Sequence, residues 1–336
     1  MRQLFLDKGS LVIKEVAQPL LNDYSVLVSV HYAYIYSATN LSNIDTNDGF
    51  LNNVPHKVKR VLEAVASQAL SSKTKKNTQL HTTLGYSCSG RVISVGKKVR
   101  KCAPGDYVAC IDPGNSPHTD LLCVPEQCVV KITNQKKVKA ASLTTLAASG
   151  MQALRRAEVQ IGERVCIFGL DVIGLLMVQL AKLSGCTVIG IDRDQSRLDL
   201  AQKLGADATY KADQADIVRE LDLLTERNGI DASFLSLSSE NYFSYAARVT
   251  REAGKIVLLQ GAMPHINEQA CQKDIDILLS NDITGMHTGQ SCADMRWTDN
   301  RNMLATLALI ESGRLDVSPF IIEKVTAQTV GTVAQR

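Results

Sequence analysis

A chain of 336 residues is too long for one ordinary hydrophobic core and predicts two domains. Its 45% apolar and 21% charged residues exclude disorder or low complexity as a global description. A net charge of only +3, from 37 basic and 34 acidic residues, argues against a dedicated nucleic-acid or anionic-membrane binder, which needs a concentrated basic surface.

The first ten residues hold Arg2, Asp7 and Lys8 and no apolar segment, so no secretory signal is predicted. Residues 24–30 are β-branched and loosely alternating, as a strand requires. A helix is expected over 57–70, with Val58, Val61, Leu62, Val65 and Leu70 broadly on one face, followed by a polar, lysine-rich loop over 71–79. Residues 90–96 form a second strand, bounded by Gly90 and Gly96. The basic run after it (Lys97, Lys98, Arg100, Lys101) reads as a solvated turn. Pro104, Gly105 and Asp106 mark a turn into a third strand over 107–111.

From about residue 140 the texture changes to alternating strand and helix. Strands are expected over 164–168, 187–191, 231–235 and 255–259, with helices over 172–184, 195–204 and 242–250. Strands separated by short helices define βαβ units, hence a doubly wound α/β domain with a parallel sheet. A last helix over 301–312 ends at Gly313. The longest apolar run, 165–181, is broken by Gly169, Asp171 and Gly174, which suits a strand, a turn and a helix rather than a membrane span. Nine cysteines, an odd number with no Cys-x-x-Cys pair, point to reduced thiols in a cytoplasmic protein and to no structural zinc cluster.

The sharpest motif is Gly169, Leu170, Asp171, Val172, Ile173 and Gly174, directly after a strand and opening a helix. A dinucleotide fingerprint reads G-x-G-x-x-G there, with an acidic residue about 20 positions on. Asp192, at the end of the next strand, fills that acidic place. A carboxylate there accepts hydrogen bonds from an adenosine ribose and repels a 2′-phosphate, so NAD is favoured over NADP; Arg193 beside it tempers the preference. Asp171 stands where the second glycine belongs, adding bulk and negative charge where the pyrophosphate meets the helix N-terminus. At ~5 Å and an effective dielectric of ~20, such a charge pair costs about 3 kcal/mol. Aspartate is also a good N-cap, so its carboxylate competes for the amide hydrogens that a phosphate would use. Two readings of this loop stay open: a weakened NAD site, and a loop that caps its own helix and binds no dinucleotide.

The layout resembles the medium-chain dehydrogenase/reductase superfamily. The residues that carry the likeness are 90–96 leading to 104–109, then Val124, Pro125 and Glu126, then 140–156 and 185–207. Segments 84–90, 296–303 and 312–317 look more like a non-zinc branch, the N-terminal half of bi-domain oxidoreductases. The resemblance implies a GroES-like β-rich domain over 1–135, a Rossmann domain over 136–287 and a return to the first domain over 288–336. It also implies a homodimer through the edges of two Rossmann sheets, with 282–286 as the candidate edge strand. The zinc ligands of the alcohol dehydrogenases do not carry over. Ser37, Tyr86 and Thr145 stand at the three positions, and hydroxyls replace thiolate and imidazole poorly, so no zinc is expected. In the non-zinc branch a Ser-Gly-Thr-Glu stretch is usual where this chain has Ser37, Ala38, Thr39 and Asn40, a second departure near the expected chemistry.

Hydride transfer needs a nicotinamide beside a carbonyl or alcohol carbon and a group to polarise or deprotonate the oxygen. The candidates are Tyr86, Thr39 and His118 for catalysis, with Ser149 at the place of a family threonine that packs on the nicotinamide. Each has a plainer reading: Tyr86 as a wall of the old metal pocket, His118 as a surface loop residue, His31 as structural. The first functional expectation is a zinc-independent, NAD(H)-preferring oxidoreductase for a small alcohol, aldehyde or sugar-like substrate. The second, of a different class, is an inactive relative with an impaired cofactor loop, serving as a binding or assembly module. An NADPH-dependent quinone or enone reductase is a weaker third, opposed by Asp192.

Overall fold

The computed structural model describes residues 1–7, 10–35, 82–83, 87–112, 118–212, 217–236, 239–259, 268–280 and 296–321. Near the N-terminus, β1 (Arg2–Asp7) and β2 (Ser10–Glu15) form an antiparallel hairpin, extended by the short β4 (Thr82–Thr83). Strands β3 (Ser25–Ala33), β5 (Ser87–Val95), β6 (Tyr107–Ile111), β7 (Leu121–Pro125) and β8 (Val129–Lys131) make a five-stranded antiparallel sheet in the order β7-β3-β5-β6-β8. The strands expected over 24–30, 90–96 and 107–111 are all here, and the first two are longer than the sequence indicates. The basic turn after β5 is exposed: Lys98 sits 4.7 Å from the Tyr24 ring centre, and Arg100 donates to the Lys97 carbonyl.

Two helices follow, α1 (Val138–Ala141) and the longer α2 (Thr144–Arg156). Ser87 and Ser89 of β5 pin this connection by donating to the carbonyls of Ser142 and Val138, each at 2.6 Å. Six parallel strands then alternate with helices: β9 (Arg164–Phe168), α3 (Val172–Leu183), β10 (Thr187–Asp192), α4 (Gln195–Lys203), β11 (Ala208–Lys211), α5 (Ile217–Leu224), β12 (Ile230–Leu235), α6 (Glu240–Val249), β13 (Thr250–Leu258), α7 (Glu268–Gln272) and β14 (Asp276–Leu279). Their order in the sheet is β11-β10-β9-β12-β13-β14, two right-handed halves that diverge from the central β9 and β12. This is the Rossmann arrangement, and ligands sit where the two halves part, at the C-terminal ends of the strands.

The central strands are apolar on both faces because helices cover both, which is why Phe168, Ile167 and Phe234 are fully buried. The last long helix, α8 (Asp299–Glu311), is shared. Its Met303 and Leu307 pack in the core of the antiparallel sheet, while Ile310 packs in the core around α2 and α3. Glu311 fastens its end, accepting from the amides of Thr133 and Asn134 at 2.7 Å each. Five of the described cysteines are buried: Cys88, Cys110, Cys128, Cys166 and Cys186. No described helix is long and apolar enough to cross a membrane. The helix expected over 57–70, the loop over 71–79 and the edge strand over 282–286 lie outside the described residues.

Candidate functional site

The site begins at the turn between β9 and α3. Gly169 adopts φ +92°, a conformation in which a side chain would be strained, and so turns the chain sharply off the sheet. Leu170 is fully buried beneath Gly190 of β10, whose missing side chain leaves room for it. Asp171 caps α3: its Oδ1 accepts from the Gly174 amide at 2.9 Å. The same oxygen accepts from the Ser236 hydroxyl at 2.5 Å. Ser236 follows β12, which brings it beside the turn across the parting of the sheet. Tyr34, just past β3, completes the surroundings; burial raises its phenol pKa and the charge of Asp171 raises it further. The aspartate that departs from the glycine pattern is thus 6% exposed and held inward by its own helix and by Ser236.

Asp192 ends β10 and is buried. Its Oδ2 accepts from the Leu170 amide at 2.7 Å, and its Oδ1 from the Asp194 amide at 2.9 Å. Arg197, on the first turns of α4, brings a guanidinium nitrogen to 3.6 Å from Oδ2. That approach of Arg197 to Asp192 is one that adjacency in sequence does not reveal. Removing an acceptor from a buried amide leaves that amide unsatisfied. Asp192→Ala is therefore expected to lower stability by about 2 kcal/mol, read as a lower denaturant midpoint at constant slope. An unchanged midpoint would show that the carboxylate does not hold the turn.

On α2, Ser149 is half-buried, and its hydroxyl donates to the Thr145 carbonyl at 3.2 Å. Thr145, where the resemblance would put a cysteine ligand, is buried and donates to the Cys110 carbonyl at 3.3 Å. His118 corrects the expectation of a surface loop residue. It is 8% exposed because its carbonyl accepts from Leu4 of β1 at 2.9 Å and its neighbour Thr119 bridges to Gln3, which draws the segment under the hairpin. Its Nε2 has no hydrogen-bond partner among the described residues, and burial pushes its pKa down to about 4. His118 is therefore a neutral imidazole at pH 7. Tyr86, Thr39 and Ser37 lie outside the described residues. Among the described residues, no three His, Cys, Asp or Glu side chains gather as metal ligands.

Residues 172–307 match the family model described as zinc-binding dehydrogenase. An uncharacterized zinc-type alcohol dehydrogenase-like protein of Escherichia coli, YdjJ, is 30% identical over 211 residues, which cover 54% of this chain and 60% of that protein. An NAD-dependent alcohol dehydrogenase of Sulfurisphaera tokodaii is 27% identical over 210 residues, again 54% of this chain and 60% of the relative. These matches span about three fifths of the length of either relative. Among solved structures, an Escherichia coli oxidoreductase/dehydrogenase of unknown specificity superposes with a TM-score of 0.78 at 22% identity, covering 99% of this chain and 94% of that one. Alcohol dehydrogenase from Thermus sp. ATN1 superposes at 0.74 with 20% identity, covering 100% and 96%. At such identities the superpositions show the fold, a GroES-like domain joined to a Rossmann domain. Together they show a likeness in sequence to zinc-type alcohol dehydrogenase-like proteins over part of the chain and a shared fold over all of it.

Proposed function

We propose that this chain is a zinc-independent oxidoreductase that prefers NAD(H) and acts on a small alcohol, aldehyde or sugar-like substrate. The observation that carries the reading is the buried Asp192 carboxylate, fixed against the β9–α3 turn by the Leu170 amide at the place where an adenosine ribose is held. A bound nicotinamide would supply the hydride acceptor or donor. Gly169 to Gly174 would receive its pyrophosphate at the start of α3, and Asp192 would accept from the ribose hydroxyls while repelling a 2′-phosphate. Ser149 would line the nicotinamide. Tyr86 and Thr39 are the proposed hydrogen-bonding groups for the substrate oxygen, with His118 as a neutral acceptor. The reading extends to a cytoplasmic homodimer with domains over 1–135 and 136–287 and a return segment over 288–336, with no nucleic-acid or membrane partner.

A second reading rests on Asp171. Its carboxylate already takes the Gly174 amide and the Ser236 hydroxyl, so α3 begins with a negative charge of its own. A chain that needs no dinucleotide tolerates this, and such a chain would serve as a binding or assembly module. Titration with NADH and NADPH, followed by nicotinamide fluorescence, separates the two. Glycine is a competent N-cap, and the loss of the Ser236 contact costs about 1 kcal/mol more, so Asp171→Gly, checked by its thermal melt, serves as the comparison. The oxidoreductase reading expects micromolar NADH binding by the wild type, weaker NADPH binding, and at least tenfold tighter NADH binding by Asp171→Gly. No binding by the wild type, with binding restored in the variant, would replace it by the module reading.

A further inference from the structure

Beyond the far end of α3, about 18 Å along the helix from Asp171, lies a cavity of about 800 Å³. The C-terminal turns of α2 and α3 form two of its walls, and Leu309 of α8 with Trp297 and Arg314 forms the third. Trp297 is the only tryptophan in the chain. Three guanidinium groups face its ring: Arg155 at 3.5 Å from the ring centre, Arg301 at 4.9 Å and Arg296 at 5.3 Å. Arg156 and Arg314 line the same cavity.

This cluster is built rather than scattered. Arg155 donates to the Asn302 side-chain carbonyl, and Asn302 in turn donates to Gln152 Oε1 at 2.7 Å, with both Asn302 and Gln152 buried. That relay holds Arg155 against the indole. Arg301 is tied back to the Arg296 carbonyl. Among the described residues, none of these five arginines is paired with a carboxylate. Glu158, the one acidic side chain on the wall, points largely to solvent and lies 3.5 Å from Lys255. Burial lowers the Arg155 pKa, and the charges of Arg301 and Arg296 lower it further, as expected where positive charge is concentrated without compensation.

We propose that this cavity is a binding site for a phosphorylated small molecule, held by Arg156, Arg296 and Arg314 over a floor made of Arg155 and Trp297. Guanidinium forks match phosphate oxygens two at a time, and several unpaired forks around one hollow call for a ligand with at least two negative charges. A nucleic acid fits poorly. Arg155 already sits at stacking distance from the indole and Arg301 and Arg296 crowd the ring, which leaves a base little aromatic surface to stack on. The site is separate from the cofactor groove and stands or falls independently of the oxidoreductase reading.

The single tryptophan makes the test direct, because emission under tryptophan-selective excitation, which leaves the nine tyrosines dark, reports on this cavity alone. Inorganic pyrophosphate and fructose 1,6-bisphosphate are titrated separately, with KCl at matched ionic strength as the control. At least one probe is expected to give a saturable change in Trp297 emission with half-saturation below ~1 mM, the scale on which a few charge-assisted contacts hold a small ligand. Arg156→Gln and Arg314→Gln, both at exposed positions that leave the core intact, are each expected to weaken that binding at least tenfold, while Asp171→Gly leaves it unchanged. An equal response to KCl, or no saturable response to either probe, would overturn the proposal. So would variants that melt earlier than the wild type while probe binding is unaffected, since the arginines would then serve a partner within the chain.

Discussion

Gly174→Ala is expected to cost more than about 3 kcal/mol and to lower the melting temperature by roughly 10 °C, the upper end of what overpacking a closed site produces. A Cβ at this position would stand 2.1 Å from the Gly169 carbonyl oxygen, and the neighbouring carbonyl carbon lies at 3.1 Å. Both are backbone atoms, and neither can give way alone. The Gly169 amide is bonded to Ile191 of β10 at 2.8 Å, and the Gly174 amide is the one that Asp171 caps. Any retreat therefore opens the β9–α3 turn, the cap and the seat of Leu170 together. Gly162→Ala is the control. That glycine also has a positive φ, +89°, but a Cβ would meet nothing within 4 Å, so only backbone strain of about 1 kcal/mol applies. Thermal melts of the two variants side by side decide the matter. Equal and small losses would mean that the turn is looser than its geometry indicates.

Acidification from pH 7 to pH 4 is expected to remove about 3 kcal/mol of stability through His118 alone. In the unfolded chain its imidazole titrates near the ordinary value of about 6.5; in the native chain, burial holds it to about 4. As the pH falls through this window, the unfolded state takes up the proton first, so the native state loses ground. Stability is full above about 6.5 and declines until the native imidazole also protonates. The carboxylates whose pKa values are lowered act in a different window. Asp106, hydrogen-bonded by Lys131, and Asp194, hydrogen-bonded by Ser196, contribute stability that is lost only as the pH falls below the ordinary carboxylate range. Denaturant midpoints of the wild type and His118→Gln, compared between pH 7 and pH 4.5, isolate the histidine. The wild type should lose markedly more than the variant. Parallel losses would place His118 in contact with water.

The parts of this molecule that follow from neighbours in sequence were legible, and the parts made by distant segments were not. Regular alternation of apolar strands and helices from residue 164 onward sufficed for a parallel doubly wound sheet, because each βαβ unit is a local pattern with one permitted hand. The terminal strands β11 and β14 leave little signal in the sequence. Each is four residues long, lies at an edge, and is half-exposed, so neither shows a buried apolar run. At the site, the glycine turn and the capping role of Asp171 could be read three residues at a time. Ser236 and Tyr34 could not: they lie 65 and 137 positions from Asp171, and only the folded sheet brings them near it. His118 departs from the surface-loop expectation for the same reason. Its polar neighbours suggest a surface loop, but pairing with residues near the N-terminus covers it. Arg197 reaches Asp192 because the start of α4 turns it back toward the strand end, five positions on in sequence.

The sharing of α8 between two interiors bears on how the molecule moves. One stretch of its surface belongs to the antiparallel half and the next turn to the nucleotide-fold half, so neither half has a closed interior without it. A hinge motion that opens the groove near Asp171 and Tyr34 must keep this helix seated on both sides. Any such hinge would have to turn about α8, and a substitution that unseats this helix is felt in both interiors at once.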